Sequence, residues 1–232
     1  MDFFNNEIFL IAITFVIYFL AKKLQERTGF ILLNPILIAI ALIIILLKTT
    51  GVSYETYSEG GKMIEFWLKP AVVALGIPLY LQLETIKKQI LPILLSQLAG
   101  CVVGIVSVVL IAQWMGASQE VILSLASKSV TTPIAMEVTK AVGGIPSLTA
   151  AVVVCVGILG SIFGVKALEY TRIDSPIAQG LSLGTAAHAM GTFTAMQISS
   201  KYGAYASLGL TLNGILTAIL TPTILSLMGY TI

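Results

Sequence analysis

The sequence predicts an all-α polytopic membrane protein with about six transmembrane helices and two re-entrant hairpins. Of the 232 residues, 57% are hydrophobic and only 10% are charged, whereas soluble domains are about 45–50% apolar and about 25% charged. Long apolar runs recur along the chain, and two polar, glycine-containing stretches interrupt them. A net charge of +2 from 13 basic and 11 acidic residues offers no basic face for nucleic acid.

Six runs are long enough to cross a hydrocarbon core of about 30 Å, which takes about 20 residues. The first lacks the basic region and cleavage pattern of a signal peptide, so we expect it to remain as a membrane helix. Pro70 and Pro78 interrupt the third. The six runs are Ile8–Lys22, Phe30–Leu47, Ile64–Leu83, Ile90–Met115, Ser147–Leu168 and Tyr205–Met228.

Basic residues indicate an orientation. Loops rich in lysine and arginine remain in the cytoplasm, and such residues follow the first and the third run. We therefore expect the N-terminus outside and the loop Thr49–Gly61 external. The basic residues in question are Lys22, Lys23, Arg27, Lys87 and Lys88.

The two polar stretches, Gln119–Pro146 and Ser175–Tyr205, are each either a full crossing or a hairpin that enters and leaves on one side. Full crossings leave Lys166 and Arg172 outside. Hairpins place these two and Lys201 in the cytoplasm and leave Lys140 outside. Hairpin arms of about 12 residues reach about 18 Å, near the bilayer midplane. We favour hairpins, and full crossings remain the alternative.

An internal repeat supports this choice. It predicts two hairpin-plus-helix units, 119–168 and 176–228, after a four-helix scaffold over 1–118. One hairpin and one crossing per unit would turn the second copy upside down, as in secondary transporters with inverted repeats. Chance similarity between helices rich in Ala, Leu, Gly and Ser is the alternative. The matches are Leu123-Ser124-Leu125 with Leu181-Ser182-Leu183, Ala135-Met136-Glu137 with Ala195-Met196-Gln197, and Gly143 with Gly203.

Lys128 is the sharpest candidate for chemistry. A lone ammonium at membrane depth costs about 2.5–3.5 kcal/mol, so it needs a partner or a ligand. Glu137 could pair with it, or the side chain could extend to an interface. In the functional interpretation, Lys128 attracts a carboxylate substrate whose oxygens are bound by the hydroxyls of Ser129, Thr131 and Thr132.

Thr131-Thr132-Pro133 predicts a break between two half-helices. Pro133 lacks a backbone donor and disfavours helical geometry at Thr132. The free N–H groups of the new helix start would make an anion site, with Thr132 as the cap. A structural proline kink is the alternative.

His188, the sole histidine, lies in the second polar stretch. It could bind substrate, accept a coupled proton, or bond a neighbouring carbonyl as a packing residue. Thr185, Gly191 and Thr192 flank it and join the candidate substrate site. Gly184 and Gly191 fit a tip where the backbone approaches closely.

The sequence Gly180-Leu-Ser182-Leu-Gly184 matches the hydrolase G-x-S-x-G pattern, which needs a strand–turn–helix context. The context here is an apolar helix, so we interpret Ser182 as a packing residue, and an intramembrane protease is a minor alternative. We expect no enzyme activity, no cofactor and no metal.

Small and polar residues elsewhere fit a scaffold. Two G-x-x-x-G pairs, Gly100/Gly104 and Gly160/Gly164, predict close helix contact. Candidates for interhelical hydrogen bonds or for lining a path are Asn34-Pro35 in the second run, Gln82, Gln97 and Asn213.

The sequence contains four distinctive motifs: K-S-V-T-T-P-I-A-M-E (128–137), G-G-I-P-S-L-T-A (143–150), G-I-L-G (157–160) and G-T-A-A-H-A-M-G-T (184–192). It also contains L-N-P-I-L near Leu33 and P-A-V-V-A-L near Pro70. In these motifs, and over essentially its whole length, the chain resembles the LrgB/CidB family.

The resemblance implies a protein of the bacterial inner membrane with one of two functions. One is antiholin-like regulation of murein hydrolase export and lysis, with an LrgA/CidA-type holin-like partner. The other is small-carboxylate transport, since a plastid relative is a glycolate/glycerate translocator. A homodimer is likewise implied by the resemblance alone. The buried cation, hydroxyls and repeat favour a secondary transporter of pyruvate, glycolate or glycerate, with the anion held at the hairpin tips.

Overall fold

The structure, a computed structural model, describes residues 6–28, 33, 35–74, 76–81 and 83–231. Within these ranges the chain is all-helical, as predicted, and contains no strand. The helices are α1 (Glu7–Thr28), α2 (Pro35–Thr50), α3 (Tyr54–Ala74), α4 (Gly76–Leu81), α5 (Leu83–Lys88), α6 (Ile90–Trp114), α7 (Gln119–Leu125), α8 (Thr132–Ala141), α9 (Pro146–Tyr170), α10 (Pro176–Ile198) and α11 (Ser200–Leu227).

Four of these helices, α1, α6, α9 and α11, are long and apolar enough to cross a membrane. Their outer faces carry exposed aliphatic side chains such as Leu95, Ile111, Leu159 and Ile219, which suit lipid rather than water. The chain is therefore a multi-pass membrane protein. The predicted crossing Phe30–Leu47 corresponds to α2, which is apolar but only 16 residues long. Residues 30–32 and 34 of that crossing lie outside the described part of the chain.

The third predicted crossing begins earlier than expected. Helix α3 starts at Tyr54, so Thr49–Gly61 is largely helical and the expectation of a loop there is wrong, while its external location stays a prediction. The Ser53 hydroxyl accepts a hydrogen bond from the Thr56 N–H at 3.2 Å, which stabilises the helix start. The polar composition that suggested a loop is instead the first half of an amphipathic helix, and α3 continues through Pro70.

The described chain forms two compact units, Met1–Ala74 and Leu75–Ile232. In the first, α1 packs against α2 and α3, and the hydroxyls of Thr14 and Tyr57 lie 2.9 Å apart. The second contains both polar stretches. A functional division after residue 118 remains a prediction.

The first polar stretch folds back on itself. Residues 126–131 separate α7 from α8 without helical structure, and Ser127 Oγ donates to the Ala135 carbonyl at 3.1 Å and lies 3.0 Å from Thr139 Oγ1. The two short helices therefore run antiparallel. We call α7, the turn and α8 the first hairpin.

Helix α9 runs parallel to the first arm of this hairpin. Its Thr149 hydroxyl donates to the Ser124 carbonyl at 2.9 Å, and further along Val153 packs with Val130. Both contacts advance in the same direction along the two segments. The first arm α7 is thus followed by the antiparallel second arm α8, and then by the long helix α9, which runs parallel to α7.

The second polar stretch, α10, also folds back. Ala187 (φ −123°, ψ 17°) and His188 (φ 43°, ψ −130°) interrupt its helical geometry. A Cβ atom on Gly191 would lie 2.1 Å from the Leu183 carbonyl oxygen, although eight residues of straight helix would separate these levels by about 12 Å. Leu183 also packs with Ala195. The arms are therefore antiparallel, and we call α10 the second hairpin.

Helix α11 repeats the position of α9. A Cβ on Gly180 would lie 2.7 Å from the Tyr202 carbonyl oxygen, and one on Gly184 would lie 2.0 Å from that of Ala206. The first arm of the second hairpin and α11 therefore run in the same direction. The internal repeat predicted from sequence has this structural counterpart, whereas its inversion and the depth of the hairpins in a bilayer remain predictions.

Candidate ligand-binding cavity

A cavity of about 680 Å³ lies in the second unit between α6, the turn of the first hairpin, the second hairpin and α11. A small-molecule site typically occupies about 300–1,000 Å³. Apolar and glycine residues form much of the wall. The polar side chains are Gln89, Ser96, Gln97, Lys128, Ser129, Ser175, Ser182, Thr185, Asn213 and Thr217.

The cavity follows α6 from Gln89 to Ile105, a distance of about 24 Å at 1.5 Å per residue. Gln89 and Ser175, at the starts of α6 and α10, are exposed, whereas Cys101 and Ile105 are buried. The mouth thus lies where α6 and α10 begin. We call this space the α6 cavity.

Among the described residues that line the α6 cavity, Lys128 alone carries a formal charge. Its Nζ atom donates to the Gly104 carbonyl and to Ser129 Oγ, both at 3.3 Å. An ammonium has three donors, so one is left for a ligand. In the part of the chain that the structure describes, no carboxylate lies within 4.0 Å of this nitrogen.

The depth of Lys128 suits a membrane site. Gly104 lies 14 residues after Ile90 and 10 before Trp114, or about 21 Å and about 15 Å from the two ends of α6. The ammonium therefore contacts α6 near its middle. An unpaired cation at that level is the electrostatic feature that defines the site.

The predicted ion pair between Lys128 and Glu137 does not form. Glu137 is exposed on α8, and the ion pairs between described residues do not include it. Ala135, Val138 and Thr139 occupy the buried face of that helix instead. The periodicity of α8 thus turns Glu137 away from the turn.

Asn213 joins the two hairpins beside the cavity. It is 1% exposed, and its Nδ2 donates to the carbonyls of Ser129 and Thr185, each at 3.0 Å. One side chain therefore fixes the distance between the first turn and the second hairpin. The sequence left Asn213 open between interhelical bonding and cavity lining, and the structure assigns it both roles.

Thr131, Thr132 and Pro133 begin α8 but are not among the cavity-lining residues. The break that they predicted is present. Thr131 rather than Thr132 occupies the capping position, with φ −64° and ψ 147°, and its side chain makes no capping bond. Pro133 fits the second helical position, where its missing N–H is not needed.

His188 lies in the turn of the second hairpin, away from the α6 cavity walls. It is 5% exposed, and its Nε2 atom lies 2.9 Å from the Val153 carbonyl oxygen. The Thr192 hydroxyl donates to the His188 carbonyl at 2.9 Å. The structure thus brings Lys128, Ser129 and Thr185 to one cavity, and places His188, Gly191 and Thr192 within the packed turn.

Ser182 is exposed and lines the cavity, so its interpretation as a packing residue is wrong. No hydrogen bond joins it to His188, whose Nε2 faces α9. The pairing of serine with histidine that a nucleophile needs is not formed between these two residues.

The two G-x-x-x-G pairs behave differently. A Cβ on Gly160 would lie 2.2 Å from Ala187 Cβ, and one on Gly164 would lie 2.7 Å from Leu183 Cδ2, which confirms close helix contact for this pair. A Cβ on Gly104 would meet no described atom within 4 Å, so the prediction of close helix contact at Gly104 is wrong. Gly104 instead opens space beside Lys128. In the sequence, this open face is marked by small and polar residues along α6, preceded by Gln89 at the helix start: Ser96, Gln97, Gly100 and Gly104.

Comparison with known proteins gives a consistent result. The model of the LrgB-like family matches residues 14–227. The uncharacterized protein YwbG of Bacillus subtilis is 39% identical over 216 residues, which cover 93% of this chain and 96% of that protein. The holin-like protein CidB of Staphylococcus epidermidis is 36% identical over 227 residues, 98% and 99% of the two chains. The antiholin-like protein LrgB of Bacillus mycoides is 33% identical over 222 residues, 95% and 96% of the two chains.

The search of solved structures gives no significant match.

Proposed function

The chain belongs to the LrgB-like family, and from that premise we propose that it is a secondary transporter of small monocarboxylates of the pyruvate, glycolate or glycerate class. The observation that carries the proposal is Lys128, which has no carboxylate partner among the described residues and lines a cavity whose described wall contains no acidic residue. A purely structural cation at this depth would be expected to have a carboxylate partner. An anionic ligand supplies the missing charge.

The carboxylate of the ligand has two assigned side chains in this proposal. Lys128 is the counter-charge, since no described residue occupies its third donor. The hydroxyl of Ser129, 3.3 Å from Lys128 Nζ, binds a carboxylate oxygen. Ser182 precedes Thr185 on the second hairpin and lies nearer the mouth, where the anion enters. Charge-assisted hydrogen bonds of this kind are about twice as strong as neutral ones.

A second function is favoured by a different observation, the names of the relatives. Because those relatives are called holin-like and antiholin-like, the second candidate is regulation of murein hydrolase export and cell lysis. In that case an LrgA/CidA-type membrane protein is the partner, and a homodimer is the proposed assembly. The names support this function more directly than they support carboxylate transport, for which the cavity is the support.

The test uses purified protein in liposomes and labelled pyruvate or glycolate. We expect saturable uptake, and we expect Lys128→Gln to weaken substrate binding by about 10- to 100-fold, the effect of about 1.5–3 kcal/mol for a hydrogen bond to a charged group. Lys140→Gln is the matched control, since Lys140 is exposed on α8 outside the cavity. Both variants must elute as monodisperse protein.

The two functions separate in the same set of variants. Autolysis is measured in cells that produce the wild type, Lys128→Gln or Lys140→Gln. No uptake by wild-type protein, together with an effect on autolysis that Lys128→Gln leaves intact, would overturn transport and favour the regulatory function.

A further inference from the structure

We propose that Gln97, Gly100 and Thr185 form a neck that divides the α6 cavity into an outer vestibule and an inner chamber, and that this neck limits the width of the anion that reaches Lys128. That the ligand is an anion rests on the proposed function. The existence of the neck rests on geometry alone.

The levels along the cavity are fixed by contacts between parallel helices. The Thr185 hydroxyl donates to Gln97 Oε1 at 2.6 Å, so these two residues lie at the same depth. One turn further along α6, Cys101 Sγ lies 3.5 Å from Thr217 Oγ1 of α11. Beyond that, Gly104 meets Lys128. Gln97 is therefore about 12 Å from Gln89 at the mouth and about 10 Å from the level of Gly104.

The space between Gly100 and Thr185 is narrow. A Cβ on Gly100 would lie 3.6 Å from Thr185 Cγ2, which is ordinary van der Waals contact. The gap between α6 and the second hairpin at this level thus admits about one methyl group. One turn deeper, at Gly104, a Cβ would meet nothing within 4 Å. The Gln97–Thr185 hydrogen bond crosses between the same two elements beside the narrow point.

The neck can open without leaving the Thr185 donor unpaired. The Thr185 hydroxyl also lies 2.7 Å from the Leu181 carbonyl oxygen of its own helix, and a hydroxyl has a single hydrogen to donate. Release from Gln97 therefore transfers the bond rather than breaking it, which avoids the cost of an orphaned donor. Thr185 is two residues before Ala187, where the helix of the second hairpin is interrupted.

Specificity follows from the residues at the neck. A flat, unbranched 2-oxo or 2-hydroxy acid passes between Gly100 and the Thr185 methyl more easily than one branched at C3. Thr185→Ser removes that methyl and keeps the hydroxyl bond to Gln97. Gly100→Val fills the gap from the opposite wall.

The protein supplies its own reporter for access to the chamber. Cys101 lines the cavity beyond the neck and is 3% exposed. The other cysteine, Cys155, is exposed on α9 and is replaced in a Cys155→Ala background. The reaction of Cys101 with methanethiosulfonate reagents is followed by mass spectrometry, with a sulfonate-bearing and a trimethylammonium-bearing reagent compared.

We expect Thr185→Ser to accelerate modification of Cys101 by about tenfold, the typical effect of one methyl group in a fitted pocket. Gly100→Val adds three carbons and should slow the modification by at least as much. Gly100→Ala, whose methyl is accommodated at 3.6 Å, should slow it less. Gly61→Ala is the matched control, because an added Cβ there meets nothing within 4 Å and Gly61 does not line the cavity. Should Gly100→Val not yield folded protein, Thr185→Ser and Gly100→Ala complete the test.

Equal rates of Cys101 modification in Thr185→Ser, Gly100→Ala and the Gly61→Ala control would contradict the proposal of a neck. Faster reaction of the sulfonate reagent than of the cationic one, reversed by Lys128→Gln, supports an anion chamber. If Thr185→Ser changes modification but wild-type protein transports no carboxylate, the neck stands and the proposed transport fails. If transport occurs and Thr185→Ser does not extend it to branched acids, the neck fails as the specificity filter.

Discussion

The two hairpins have the same shape but are held together by different interactions. In the first, hydroxyls form a buried chain in which Thr139 bonds both Ser127 and Thr149 at 2.9–3.0 Å. In the second, glycines let backbone meet backbone, as at Gly184 against α11 and Gly191 against the opposite arm. Side-chain hydrogen bonds therefore hold the arms of the first hairpin together, whereas close backbone packing at glycines holds the second hairpin together.

This difference explains why the two turns place their basic residues differently. The turn of the first hairpin spans six non-helical residues, 126–131, and from it Lys128 reaches the α6 cavity. The turn of the second hairpin is confined to Ala187 and His188, and Gly157 and Gly160 of α9 lie directly against them. His188 is consequently packed against α9. One turn presents a charge to the cavity, and the other supplies a rigid wall next to Thr185.

The largest expected effect comes from filling a glycine of the second hairpin. In Gly184→Ala the new methyl would lie 2.0 Å from the Ala206 carbonyl oxygen, so α10 and α11 would have to separate. Overpacking of this kind costs about 3 kcal/mol or more where backbone must move. We expect a large loss of thermal stability in detergent, measured as loss of the monodisperse peak, or no folded protein at all.

Gly61→Ala controls for the change in helix propensity, because an added Cβ at that helical position meets nothing within 4 Å. If Gly184→Ala were as stable as Gly61→Ala, backbone contact could not be what holds the second hairpin to α11.

An intermediate effect is expected from the hydroxyl chain of the first hairpin. Thr139→Val keeps the shape of the side chain and removes the bonds to Ser127 and Thr149. Hydrogen bonds between helices in membrane proteins contribute about 0.6 kcal/mol on average and up to about 1.7 kcal/mol. We therefore expect the free energy of unfolding to fall by about 1 kcal/mol, seen as a lower thermal stability in the same assay.

Thr194→Val is the matched control for this variant. Among the described residues, the Thr194 hydroxyl bonds only the Met190 carbonyl of its own helix, at 3.1 Å, so its removal should lower the free energy of unfolding less. A loss at Thr139 no greater than that at Thr194 would show that the hydroxyl chain does not hold the first hairpin together.

Part of this arrangement could be predicted from sequence because its causes are local. Pro133 removes a backbone donor, which predicts the break before α8, and apolar length identifies α6, α9 and α11. The internal repeat pairs segments that prove to have the same hairpin-and-helix order. Lys128 is conspicuous in an apolar setting whatever its surroundings, and Ser129 follows it in the chain.

The remainder depends on tertiary contacts that no local pattern encodes. His188 resembles a ligand in sequence, yet its direction is decided by the space that Gly157 leaves on α9, where a Cβ would lie 2.6 Å from His188 Cε1. Glu137 was a candidate partner for Lys128 by spacing, and the burial of Val138 and Thr139 turns it outward. Asn213 could be identified as polar, but not as the residue that joins both hairpins.

The smallest expected effect separates two glycines that the sequence presents as equivalent. Gly104→Ala adds a methyl where no atom lies within 4 Å, so it should leave stability unchanged or raise it by about 0.5–1 kcal/mol through helix propensity. Gly160→Ala, at the corresponding place in its own G-x-x-x-G pair, would bring a methyl within 2.2 Å of Ala187 Cβ and should lower stability. Thermal unfolding of both variants checks the sign. Equal losses would mean that α6 packs at Gly104 as α9 does at Gly160. The open space beside Lys128 would then be absent, since the same volume cannot hold both a neighbouring helix and a ligand.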